Sequence, residues 1–288
     1  MKLSGSSGAE AREARSRSDF EDFAVRLGPR IAWVSIAIAA LALLTASCAD
    51  EAAGPPDPPN QSNDRIDITN DEGALDGRVS GEDSDIPIDP VGGSGQLIVP
   101  PASVQAASTA LSLRLESEVS PPTVDGEVVQ ATAVAIDGSK VRASYNMRGE
   151  PRLGAVDLIS TSTLSRPRLT ASATFNDSDV SAIGYEGSFV YMAAATGTAG
   201  FEYPAVLERM KLKNDKFTLE DNVRLPLTSY VGTSALATND YVYATSGDGG
   251  HVFAFDRGSM QLLGQYPLDD ARWVAWDLEG GRLVVVQG

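Results

Sequence analysis

The side chains of this chain that could do chemistry are few in kind. It has one cysteine, Cys48, and one histidine, His251. That pair excludes an internal disulfide and a Cys/His metal cluster, and leaves a nucleophile–histidine–acid triad a sole candidate base. What remains are carboxylates, arginines and tyrosines in turn-like strings. Asn176, Asp177 and Asp179 stand in one, and Asp269, Asp270 and Arg272 in another. Tyr145, Asn146, Arg148, Glu150 and Arg152 share a third, Glu202 and Tyr203 a fourth, and Asp248 and His251 a fifth. Converging at one mouth, such groups could hold a cation or a sugar, or pair two carboxylates for acid–base work. Arg148 and Arg152 flank a Gly-Glu-Pro turn, and two cations on one loop of an acidic domain suit an anion or carboxylate clamp. The simpler role for Asp and Asn there is turn formation, because their side chains satisfy local backbone groups. We take Tyr145, Arg148, Arg152, Asp177, Asp179, Asp248, Asp270 and Arg272 as candidate binding residues, and assign no catalytic residue, metal or cofactor. His251 opens a strand and is expected to be a strand-edge residue.

These strings lie between short alternating apolar runs. From about residue 128 onward no stretch keeps helical periodicity for three turns, and runs of Val, Ala, Tyr, Phe and Leu are broken by Gly, Asp, Asn and Ser. Four hairpin-like segments align: 131–144, 180–193, 233–246 and 271–286. Val141, Val190, Val242 and Leu283 mark the second strand of each, at spacings of 49, 52 and 41 residues. A third strand follows the first three hairpins at 154–160, 205–212 and 251–256, and a fourth, outer segment comes after each. Four strands per unit at this period predict an all-β fold of β-propeller type, partial, with about four blades recognisable over residues 97–288. Trp273 and Trp276 are expected to fill interfaces between blades. The fourth unit shows two strands. We expect either that the chain is a piece of a longer propeller, the reading we favour, or that 97–117 supplies the missing outer strands.

Upstream the texture differs. Residues 31–47 form an uncharged apolar run after Arg26 and Arg30, as in a secretory signal. The thirty residues before it carry six bases and five acids, long for such a leader, which suggests translation from near Val25 or Leu27. Between Ala49 and Gln96 twelve acids face two bases, with six prolines and no aromatic residue. That composition predicts a disordered acidic linker over 49–96. The string Asp67–Gly73 fails the spacing of a calcium loop and is read as part of that linker.

The string LLTASCAD, with Ala46, Ser47 and Cys48 in small-small-cysteine places and Thr45 before them, resembles the lipobox of bacterial lipoproteins. The resemblance implies cleavage before Cys48 and lipid on the new N-terminus. Acyl chains contribute roughly 0.8 kcal/mol per buried methylene, enough for several to anchor a soluble domain. A plain cleaved signal and an uncleaved anchor are the alternatives, and all three place the remainder outside the cytoplasm. The segment 144–158 resembles propeller lipoproteins with LVIVD-type repeats. Residues 251–268 are similar to the PQQ-like repeat through Ala254, Asp256 and Ser259, with Met260 where that pattern has glycine.

A formal charge of −16 makes nucleic acid an improbable partner. The expected work is that of a lipid-anchored envelope module that binds or scaffolds protein or carbohydrate through its loop face. A hydrolase or lyase using carboxylates and arginines at the channel mouth is the alternative. The PQQ-like resemblance implies a third role, in outer-membrane assembly.

Overall fold

The computed structural model describes residues 57–87, 112–147, 149–163, 165–277 and 279–288, all within the compact unit Ala53–Gly288. The apolar run 31–47, Cys48 and Arg148 lie outside the described residues.

In chain order the first elements are β1 (Gln61–Ser62), β2 (Ile66–Thr69), a single-turn helix α1 (Glu72–Leu75), a 3-10 turn (Asp76–Arg78) and β3 (Val79–Pro87). After them come β4 (Ser112–Val119), β5 (Thr123–Val124) and β6 (Glu127–Val128). The repeating part then begins with β7 (Gln130–Asp137), β8 (Lys140–Asn146), β9 (Gly154–Ser160) and β10 (Arg168–Phe175). A second set follows: β11 (Ser178–Glu186), β12 (Phe189–Thr196), β13 (Ala205–Lys213) and β14 (Lys216–Pro226). The third is β15 (Gly232–Ala237), β16 (Tyr241–Ser246), β17 (His251–Asp256) and β18 (Leu262–Pro267), and β19 (Ala271–Asp277) and β20 (Arg282–Gln287) close the order.

Each set forms one antiparallel sheet with its strands in sequence order. Short turns make this possible. The β13–β14 hairpin turns on Asn214 and Asp215, both left-handed (φ 54° and 57°), as a two-residue turn matched to strand twist requires. The fold is therefore all-β, with several antiparallel sheets. Successive sheets pack face to face. Val156, Leu158, Phe175, Val190, Met192 and Phe217 fill the layer between the first and second sheets. Tyr191, Leu207, Val242 and Phe253 fill the next, and Tyr243 and Val274 the last. The strand β12 is buried on nearly every residue because both of its faces are covered. Each such aliphatic or aromatic side chain contributes roughly 1.5–3 kcal/mol.

A structural repeat underlies the spacing of the hairpins. The first strand of each unit carries a register shift at the same place, leaving Thr132, Ser181, Thr233 and Arg272 unpaired. Such a bulge bends and twists its strand. The hydroxyl of Thr132 donates to the Val180 carbonyl at 2.8 Å, and that of Thr233 to the Ala271 carbonyl at 2.6 Å. Each therefore fastens one sheet to the first strand of the next. Glycine permits the same approach elsewhere. A Cβ on Gly232 would stand 2.8 Å from the Ala194 nitrogen and 3.0 Å from the Val206 carbonyl oxygen.

Three expectations need correction. The acidic segment is not an unstructured linker over residues 57–87. Ile66 and Ile68, 0% and 3% exposed, alternate with Asp67 and Thr69, and β2 pairs with β10 as an added strand of the first sheet. Composition averaged over the whole segment hides this, since two isoleucines at period two suffice to bury one face. Asn70 completes the attachment: its amide donates to the carbonyls of Pro58, Pro59 and Phe217 and accepts from the Phe217 N–H. Asp71, next in the string that fails as a calcium loop, caps α1 by accepting from the Gly73 N–H at 2.9 Å.

Second, the described part of the segment considered for closing the last unit, from Ser112 onward, pairs otherwise. β4 joins β3 in a separate two-stranded ladder, and residues 97–111 lie outside the described residues. Third, the two tryptophans part. Trp276 stacks on Tyr243 at 6.2 Å between centroids, whereas Trp273 is 52% exposed on the outer face of the last pair.

Candidate functional site

The loops β8–β9, β10–β11 and β12–β13 lie at one end of the first two sheets. The β10–β11 turn is only two residues, so Asp177 enters the site from a tight turn and Asp179 from the start of β11. Hydrogen bonds between backbones lock it: the Gly197 N–H donates to the Asp177 carbonyl at 2.7 Å, and the Met147 N–H to that of Leu153 at 2.7 Å.

Asp177 is the hub of an ion network. The Arg224 guanidinium, on β14, donates to Asp177 Oδ2 at 2.8 Å and Oδ1 at 3.2 Å. It also reaches Glu208 Oε2 at 2.6 and 2.8 Å, Ser178 Oγ at 2.8 Å and Thr196 Oγ1 at 3.0 Å. Arg65, from the β1–β2 turn, closes the other side on Glu208 Oε1 at 3.1 Å. Two carboxylates thus meet two guanidinium groups, and Glu208 is 2% exposed. Burial alone would raise the Asp177 carboxyl. Its bonds from Arg224, Thr198 and Ser178 outweigh that and hold it down at about 2. This carboxylate stays charged down to about pH 2 and is fully engaged, which suits a structural clasp better than a proton carrier near neutrality.

Asp179 is different. It is half-buried, and its carboxylate accepts from the Met147 N–H at 3.3 Å. Burial dominates and lifts its carboxyl to about 6, although the backbone of Met147 and Leu153 and the charge of Arg152 pull the other way and Glu150 adds to the rise. Arg152 itself donates to Glu150 Oε1 at 3.2 Å. Chemically, Asp179 can hold or release a proton near neutrality beside a cation.

Of the predicted residues, the structure therefore brings Arg152, Asp177 and Asp179 together. Tyr145 is a correction. It is 4% exposed on the opposite face of the first sheet, where burial and then Asp157 push its phenol well above the usual range. Its neighbour Asp157, fully buried, is paired with both terminal nitrogens of Arg78. Tyr145 sits on a strand whose register points it inward, so it cannot line a mouth. Asp248, Asp270 and Arg272 belong to a separate loop cluster at the β16–β17 and β18–β19 connections. The Asp248 carbonyl accepts from Ser229 Oγ at 2.6 Å, and Arg272 pairs with Asp270 at 2.6 Å. His251 opens β17, with Nδ1 2.8 Å from Thr228 Oγ1.

No family model matches the chain, and no curated protein matches it. Among solved structures, a gluconolactonase from Xanthomonas campestris is similar at a TM-score of 0.41 and 12% identity, over 60% of this chain and 59% of that one. The chain thus spans less than two thirds of that protein's length.

Glu208 and Arg224 escaped the sequence reading because each stands mid-strand among apolar residues, where a charge looks like a solvent-facing alternation. The available signal was Glu208-Arg209 within AVLERMKL: adjacent residues face opposite ways, so a strand covered on both faces buries both of them. A second set was missed at the far end of the same two sheets. There Lys140, Arg142, Arg168 and Lys216 line a cavity of about 250 Å³.

Proposed function

We propose that this chain is a β-propeller module that binds or scaffolds other molecules at the cell envelope, carried there by its export signal and a lipid on Cys48. The bulge repeated at Thr132, Ser181, Thr233 and Arg272 supports the propeller, because equivalent strands bent at equivalent places stack by a repeated rotation. The two ends of the stack support it also. Val134 and Ile136, 59% and 67% exposed, face outward from the first sheet, and Trp273, Val284 and Val286 do so from the last pair. These are surfaces that further sheets of a ring, or a partner, would cover. The proposed likeness to the PQQ-like repeat rests on one local geometry: Asp256 Oδ1 accepts from both the N–H and the hydroxyl of Ser259 at 2.7 Å, and Met260 takes a left-handed φ of 58° at the glycine position.

The observation that carries the binding role is the state of the loop-end charges. Asp177, Asp270 and Arg152 are each matched within the fold, which leaves a preformed polar surface for protein or carbohydrate contact. Fractionation of cells producing the wild type and Cys48→Ser tests the anchoring: membrane recovery of the first and soluble recovery of the second are expected. Both in the soluble fraction would refute it.

One residue favours the alternative, a hydrolase or lyase. Asp179, with its carboxyl at about 6 beside Arg152, has the protonation balance of a general acid or base. A panel of chromogenic esters, lactones and glycosides assayed from pH 4 to 8 decides it. Turnover present in the wild type and lost in both Asp179→Asn and Arg152→Met would replace the binding role with catalysis.

A further inference from the structure

The cavity at the opposite end of the first two sheets has a chemistry of its own, independent of the loop end. It lies where the β7–β8 turn, the end of β9, the start of β10 and the β13–β14 turn come together, and encloses about 250 Å³. Four cationic side chains line it, Lys140, Arg142, Arg168 and Lys216, against three acids, Asp57, Glu72 and Asp215. In a chain of formal charge −16 that local excess of cations is against the general trend.

Three of the four cations are accounted for. Lys216, 5% exposed, donates to the Asn70 and Thr170 carbonyls at 3.1 and 2.7 Å and to Glu72 at 3.0 Å. Arg168 lies 3.4 Å from Glu72, and Lys140 pairs with Asp215 at 2.8 Å. Arg142 is the exception. It is 4% exposed, and its Nε and Nη1 are buried without a hydrogen-bond acceptor among the described residues. Its guanidinium carbon sits 3.7 Å above the Tyr185 ring. Stacking stabilises the charge through the ring face but leaves the in-plane N–H donors unused. A buried charged donor without an acceptor is costly, and natural structures seldom keep one without a use.

We propose that this cavity is a binding site for a small oxyanion, a phosphate or a carboxylate, with Arg142 as the residue that holds it. The charge balance fits a single anion: four cations face three acids, so one positive charge is in excess, with Lys140 on Asp215 and both Arg168 and Lys216 on Glu72. The volume suits a small molecule, being below the range of drug-sized pockets. Ser139 also lines the space and offers a hydroxyl for a remaining oxygen.

The test is a thermal-shift and calorimetric titration of the protein with inorganic phosphate and, separately, with acetate, against sodium chloride at matched ionic strength. The wild type is expected to bind at least one of them saturably, at one site per chain. Arg142→Met is expected to weaken that binding at least tenfold while remaining folded, since it removes an unpaired buried charge and keeps the length of the side chain. Arg282→Met, which removes a charge from an exposed strand elsewhere, is expected to bind as the wild type does. A response to phosphate alone assigns a phosphate site and a response to acetate alone a carboxylate site, and either sustains the proposal. No response above chloride, or a response unchanged in Arg142→Met, overturns it.

Discussion

Replacing Arg224 by methionine isolates the ion network that ties β14 to β11, β12, β13 and the β10–β11 turn. The substitution keeps the aliphatic stem and removes six hydrogen bonds to Asp177, Glu208, Ser178 and Thr196. Breaking one side of a buried ion pair typically costs about 3–5 kcal/mol, because the partner charge is left behind. Arg65 remains on Glu208 at 3.1 Å, so the lower part of that range applies. Asp177 gives a second estimate. Its fall from 3.8 to about 2 corresponds to roughly 2 kcal/mol of stability. Because the folded value is depressed, that contribution is complete above the unfolded value and is lost as pH falls through about 2. In Arg224→Met the Asp177 carboxyl keeps the hydroxyls of Ser178 and Thr198 but loses its guanidinium, and takes up its proton at higher pH, so the deficit should shrink in acid. Urea denaturation at pH 7 and at pH 3 measures both terms. We expect a loss of about 3 kcal/mol at pH 7 and about half of that or less at pH 3. A loss under about 1 kcal/mol at pH 7, or a deficit equal at the two pH values, would show that the network carries little of the stability.

Asp179 should behave in the opposite sense. Its folded value is raised to about 6, so its contribution is complete below the unfolded value and is lost as pH rises through about 6; Asp179→Asn should therefore stabilise the domain by about 1–3 kcal/mol at pH 8 and leave it unchanged at pH 3.5, as read from melting curves. Asn70→Ala removes the buried amide that ties the N-terminal strand to Phe217, and should cost about 1–3 kcal/mol and speed amide exchange across 61–70 ahead of β8 and β12. Gly232→Ala places a methyl group against the backbone of Ala194 and Val206, and should lower stability by about 1–3 kcal/mol or more by the same denaturation assay.

The repeating strands were legible because their signal is local. Val141, Val190, Val242 and Leu283 fall in β8, β12, β16 and β20, and the turns between them carry Gly, Asn or Asp where the backbone demands it. The added strand β2 was not legible, since its two isoleucines lie among twelve acids and what orders them is a distant partner, β10. The candidate site divides the same way. Arg152, Asp177 and Asp179 come from two loops and the strand start beside them, which one topology gathers at one end. Glu208, Arg224 and Arg142 stand mid-strand, and only knowledge of which sheet covers which face distinguishes a buried charge from a solvated one. Tyr145 fails for the same reason in reverse, because one step of register turns a mouth residue into a core residue.

The docking of residues 57–70 onto the first and second sheets changes what a lipid on Cys48 would mean. A cord of nearly fifty free residues would let the domain roam far from the bilayer. With the chain fastened from Asp57 onward, nine peptide steps separate that residue from Cys48, and a fully extended stretch of that length covers at most roughly 30 Å. The module would then ride close to the headgroups, with its range set by this short leash and its contacts confined to molecules that come within about one domain diameter of the membrane.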